Sequence, residues 1–143
     1  MGGGPGYTQQ RFGEHDMNRN ELVGLVERYF GAVDGEDFDV LRSTLTDDCV
    51  FTVETHGVEL VGFPAIEGMF RKLWADHAAV QHKDFTHVPA AEDGRVASRF
   101  TVVNTEQDGS LTYKSNCNFF ELRGERFSKV AVYMTGANTL HEK

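Results

Sequence analysis

The sequence is poor in the residues that staple or stiffen small secreted domains: it has two cysteines, Cys49 and Cys117, and three prolines in 143 residues. Two thiols so far apart make no disulfide framework and match no metal-ligand spacing, so both are expected to be buried free thiols of an intracellular chain. Positive charge is also scarce. Lys and Arg number 14 against 22 Asp and Glu, a net charge of −8, and no cluster of them forms a basic stripe. Nucleic acid is therefore not an expected partner. No apolar run approaches the roughly 18 residues of a membrane span, and no charged-then-apolar leader opens the chain. A membrane partner is not expected, and the cytoplasm is the expected location.

What is present suits one soluble domain: 40% hydrophobic and 25% charged residues, in a length that supports a single core and leaves no room for two. The first residues differ from the rest. Four glycines and a proline fall within "MGGGPG", which excludes regular structure there. Residues 1–17 are expected to be an N-terminal arm, either flexible or appended, ahead of a single domain over residues 18–140.

From Asn18 the pattern becomes periodic. Leu22, Leu25, Val26, Tyr29, Phe30 and Val33 recur at helical spacing, with Asn20 as a possible cap. "FDVLRSTLTDD" predicts a second short helix, and "CVFTVET", rich in β-branched residues, predicts a strand. "HGVELVGFP" reads as a short strand and turn, and "AIEGMFRKLWADH" as a third helix. Four further strands are expected over 80–89, 95–105, 111–122 and 127–135, separated by "AEDG", "EQDG" and "LRGER". Helices first and antiparallel strands afterwards is an α+β pattern. A long, strongly curved, mostly antiparallel sheet wrapped around three helices makes a cone-shaped barrel with one open end and an interior pocket.

The landmarks "VERYFGAVDGEDFDVLRSTLTDDCVF", "GFPAIEGMF" and "FFELRGERFSKVAVYM", in that order, resemble the nuclear-transport-factor-2-like superfamily, in its SnoaL-like and ketosteroid isomerase-like branch. The resemblance covers about residues 20–136 and implies this fold, with no cofactor and no metal. It implies a small, largely apolar ligand carrying a carbonyl or hydroxyl, steroid-like or polyketide-like. The implied chemistry is proton transfer beside a carbonyl, of isomerase, cyclase or dehydratase type. A non-catalytic ligand-binding or dimeric assembly domain is the alternative, and a homodimer through the sheet face is expected by analogy.

Residue by residue, the branch's catalytic tyrosine falls on Tyr29. Its second oxyanion donor, a carboxylic acid kept neutral by an apolar site, falls on Asn118 or one residue either side, and an asparagine amide donates without a shifted pKa. Its proton-shuttling aspartate falls on Val53, and the neighbouring carboxylate is Glu54. In a strand one residue changes the face, so either a bulge turns Glu54 inward or no base stands there. His82, with Asp84 on the same face to orient it, is the next candidate acid/base, and Asp84 itself is the third candidate base. His82 and His87 are five apart, which in a regular strand points them to opposite faces, poor geometry for a metal. The acidic groups "TDD" and "DGED" read as turns and caps.

The implied ligand lining is Phe30, Val53, Phe70, Trp74 and Phe100, with Phe119, Val130, Val132 and Met134 from the last two strands. Those last two strands pose a register question. A two-residue turn at Gly124-Glu125 sets Asn118 opposite Ala131 and Asn116 opposite Tyr133, leaving Phe119, Val130, Val132 and Met134 together on the other face. A longer, bulged turn instead brings Asn118 to the side of Val130 and Met134.

Overall fold

The computed structural model describes residues 17–136. Apart from Met17, the expected arm lies outside the described residues, as do positions 137–140 of the expected domain.

Helix α1 (Arg19–Asp34) forms where the apolar residues recur every three or four positions, and it buries Leu22, Leu25, Val26, Tyr29, Phe30 and Val33. Its cap is Asn18, not Asn20. The Asn18 side chain accepts from the Glu21 N–H at 2.8 Å, and the Glu21 carboxylate accepts from the Asn18 N–H at 3.0 Å. Asn20 has Val23 three residues on and cannot close that reciprocal box, a motif whose cap alone contributes about 1 kcal/mol. Helix α2 (Phe38–Thr44) starts at Asp37, which accepts from the Val40 N–H. It ends before "LTDD", whose residues are extended. Helix α3 (Phe63–Asp76) begins two residues earlier than expected because Pro64 suits a first helical turn.

The six strands are β1 (Leu45–Val53), β2 (Val58–Val61), β3 (Ala79–Ala90), β4 (Arg95–Thr105), β5 (Leu111–Arg123) and β6 (Arg126–Tyr133). They form one sheet in the order β2-β1-β6-β5-β4-β3. Every pairing is antiparallel except β1 with β6, which is parallel. The sheet curls around the helices as an open cone, an α+β architecture. Its inner face carries Phe51, Phe120, Phe127 and Val130, all at most 1% exposed. No described helix is long and apolar enough to cross a membrane. Cys49 is a buried free thiol, whereas Cys117 is only half-buried, because it stands on the outer face of β5.

Two single-residue bulges decide which side chains face inward. Between β5 and β6 the Gly124-Glu125 turn closes with Leu122 opposite Phe127, Gly124 taking φ 69°. Ser128 is then extra, so Glu121 pairs with Lys129 and Asn118 with Val132 rather than Ala131. The bulged register therefore holds, and it places Asn116, Asn118 and Phe120 on the inner face with Val130 and Val132. In β3, Lys83 pairs with Thr101 and Thr86 with Arg99, one residue too many on β3. Asp84 absorbs the excess at φ 58°, a left-handed conformation that Asp tolerates better than most residues. The bulge puts His82 and His87 on the same face despite their spacing of five. His87 hydrogen-bonds through Nδ1 to the buried Ser98 hydroxyl at 2.8 Å.

Candidate functional site

A cavity lies between α1, α3 and the inner face of the sheet. Its walls are mostly aromatic and aliphatic, with Tyr29, His82, Asn104, Asn116 and Asn118 as the polar side chains. The void, its open mouth to solvent included, is about 430 Å³, and the part that the side chains leave free has room for a water or two.

Tyr29 is 2% exposed. Its ring packs edge-on to Phe30 at 5.0 Å, Phe120 at 5.5 Å and Phe70 at 6.4 Å between centroids. Burial, with the neighbouring Cys49 adding to it, pushes the phenol well above its ordinary pKa of 10.0. Tyr29 is therefore a neutral O–H donor across the physiological range, fixed by three aromatic walls. Burial likewise pushes the Cys49 thiol up to about 12, with Asp48 adding to it, so Cys49 is an inert thiol and not a nucleophile.

His82 is held on four sides. Its ring packs against Phe30 at 4.8 Å and Phe100 at 5.3 Å. Its Nδ1 lies 2.6 Å from Oδ1 of Asp34, and its backbone N–H donates to Oδ2 of the same carboxylate at 2.8 Å. Because β3 is the edge strand, that N–H points away from the sheet and is free to be taken by a helix residue. The carboxylate fixes the tautomer: Nδ1 carries the proton and Nε2 is the nitrogen left to act as base.

The amides complete the polar set. Asn116 Oδ1 accepts from the Thr135 N–H at 3.3 Å. Asn118 is 3% exposed and its Oδ1 is buried without a partner. Asn104 is 1% exposed and neither of its amide atoms has one among the described residues. Among the described residues no group of three or more His, Cys, Asp or Glu side chains could hold a metal ion.

The family profile of the SnoaL-like domain matches residues 26–130. The chain belongs to the SnoaL-like domain family. No curated protein matches it in sequence. Among solved structures it is similar to a provisional polyketide cyclase of Xanthomonas campestris pv. campestris, with a TM-score of 0.74 and 21% identity over 82% of this chain and 92% of that one. A second provisional polyketide cyclase, from Pseudomonas putida KT2440, gives 0.71 and 18% over 78% and 90%. A ketosteroid isomerase-like protein of Catenulispora acidiphila, solved with trimethylamine, gives 0.68 and 15% over 76% and 83%. At these identities the likeness shows the fold, the nuclear-transport-factor-2-like one.

This SnoaL-like domain brings Tyr29, His82 and Asn118 to one cavity, with Phe30, Phe70, Phe100 and Val132 in its walls. It does not bring the others there. Glu54 is exposed in a short 3-10 turn, Glu54–His56, and accepts from the Thr52 hydroxyl at 2.6 Å. No bulge separates it from Val53, whose inward position at 0% exposure turns Glu54 outward. Asp84 is exposed at its bulge and does not orient His82; Asp34 does. Phe119 is 40% exposed on the outer face, because β5 pairs without a break against β4, which sets its neighbours Asn118 and Phe120 inward beside Ser98 and Val96. Val53, Val130 and Met134 are buried in the core but do not line the cavity, and Trp74 is half-buried with its indole N–H donating to the Val33 carbonyl at 2.9 Å.

The residue that sequence reasoning missed is Asp34, set aside as part of the turn "DGED". One signal was available. A carboxylate in the last turn of a helix faces the negative end of the helix dipole, and α1 has no basic residue there to offset it. Such a position calls for a partner elsewhere, and His82 is that partner.

Proposed function

We propose that this SnoaL-like domain is a cofactor-independent acid/base enzyme acting on a small, largely apolar compound that carries a carbonyl or hydroxyl. The reaction class is proton transfer beside a carbonyl: isomerisation, aldol-type cyclisation or dehydration. The observation that carries this reading is the Asp34–His82 pair and the neutral Tyr29 phenol facing one apolar cavity. His82 Nε2 takes the proton from the carbon next to the carbonyl. Asp34 holds the Nδ1 proton and stabilises the imidazolium that forms. Tyr29, joined by the Asn118 amide, donates to the oxygen on which negative charge develops. His82 then returns the proton: to a neighbouring carbon in an isomerisation, to the new alkoxide oxygen in an aldol-type cyclisation, or to the hydroxyl that leaves as water in a dehydration. Donors preorganised in this way are worth about 3–4 kcal/mol each in comparable sites, and a positioned general base about 10²–10⁴-fold.

The test needs no knowledge of the natural substrate. The protein is expected to speed exchange of the α-protons of 2-tetralone for deuterium in D₂O, followed by NMR, at least about 10²-fold over buffer. Tyr29→Phe is expected to remove about 10²–10³ of that rate. No rate above buffer overturns the catalytic reading and leaves a ligand-binding domain.

The outer face of the sheet supports a homodimer. Ala97, Phe119 and Ala131 align across β4, β5 and β6, with Cys117 beside Tyr133 next to them. Tyr113 is 64% and Tyr133 45% exposed on this face, and Arg95, Glu121 and Lys129 edge the apolar strip in register. A second copy presents the same strip and can pair with it about a two-fold axis. Gel filtration is expected to show a dimer that Phe119→Glu converts to a monomer of 16.0 kDa. A wild-type monomer overturns this assignment.

A further inference from the structure

Among the described residues nothing meets the hydrogen-bonding need of Asn104. It sits on the inner face of β4 at 1% exposure, and both its amide oxygen and its amide nitrogen are buried without a partner. Turning the amide over exchanges the two atoms and leaves the demand unchanged, one donor and one acceptor. Around it the cavity offers Val33, Leu73, Val80 and Val102, none of which can answer. A buried amide in that state calls for an explanation, and a cavity wall supplies one.

The strand register gives the position. Val80 pairs with Asn104 and His82 with Val102, so Asn104 is diagonal to His82 on the same face, about 7–8 Å away. In the other direction Phe100 pairs with Asn116. Four residues of strand, about 13 Å, separate Asn104 from the row that holds Asn116.

We infer that Asn104 is a specificity-determining residue that binds a hydroxyl on the ligand, at the end of the cavity away from the row of Asn116. A hydroxyl donates and accepts through one atom, which answers both amide groups from one side. The ligand class is thus a hydroxyketone, not a simple ketone, and this rests on the catalytic cavity proposed above. A site built to hydrogen-bond a hydroxyl rejects analogues that lack it, because its own polar atoms are then left unpaired.

The probes are 2-naphthol, a planar mimic of an enolised two-ring ketone, and 2,6-dihydroxynaphthalene, which adds a hydroxyl at the far end. Isothermal titration calorimetry is expected to show the wild type binding the diol at least tenfold more tightly. Asn104→Leu is expected to bring the two within threefold of each other, with 2-naphthol affinity unchanged and the melting temperature equal or higher. A structural Asn104 would instead lower the melting temperature and leave the preference intact. Equal binding of both probes by the wild type, or a preference that survives Asn104→Leu, overturns this inference and leaves the cavity reading standing. Binding of neither probe overturns both.

Discussion

Asp34→Asn is expected to slow α-proton exchange by about 10²–10⁴ while 2-naphthol binds within threefold of the wild-type affinity. The size of the effect follows from the two bonds that this carboxylate makes. Oδ2 accepts from the His82 backbone N–H, and Oδ1 from the ring at Nδ1. The backbone N–H can only donate, so an asparagine must turn its single oxygen toward it. Its NH₂ then faces Nδ1, which becomes an acceptor. The ring proton moves to Nε2, and the base in the cavity is lost without any change in shape. A rate within threefold of wild type, in a variant that unfolds at the same urea concentration, would sink the assignment of His82 as base.

Phe120→Ala is expected to be the most damaging core substitution of those considered, at about 3–5 kcal/mol, or some 10–20 °C in melting temperature. Phe120 is fully buried, with its ring 4.6 Å from Phe127, 5.5 Å from Tyr29 and 6.0 Å from Phe30. It is the point where the sheet's inner face meets α1. Removing it leaves a hole against the ring that aims the Tyr29 hydroxyl. Urea unfolding measures the first effect. A loss under about 1 kcal/mol would mean that Phe120 faces outward, and with it that the register of β5 and β6 is wrong.

The sequence carried the elements well, because helix periodicity and β-branched runs are local signals and each spans ten residues or so. Tyr29 was legible for the same reason, since its place on α1 follows from its neighbours. What was not legible turns on single residues. Ser128 and Asp84 are ordinary residues in strands, and nothing in their type announces a bulge. Yet Ser128 decides that Val130 and Val132 share the inner face with Asn118, and Asp84 decides that His87 joins His82 there. Asp34 was hidden differently. Its partner is 48 positions away, and only the meeting of α1 with the edge of the sheet brings them together. Asn104 gave no sign because an amide in a strand looks the same whether or not it is satisfied.

The same carboxylate has a second duty that follows from where β3 lies. As the last strand of the sheet, β3 shows a row of unpaired N–H and C=O groups to its surroundings, a template on which a strand from another molecule can grow. Asp34 occupies one of those donors, and α1 covers the edge around it. The group that orients the imidazole is thus also a guard against strand addition. A substitution at position 34 therefore acts in two places, on the imidazole it holds and on the edge of the sheet it covers.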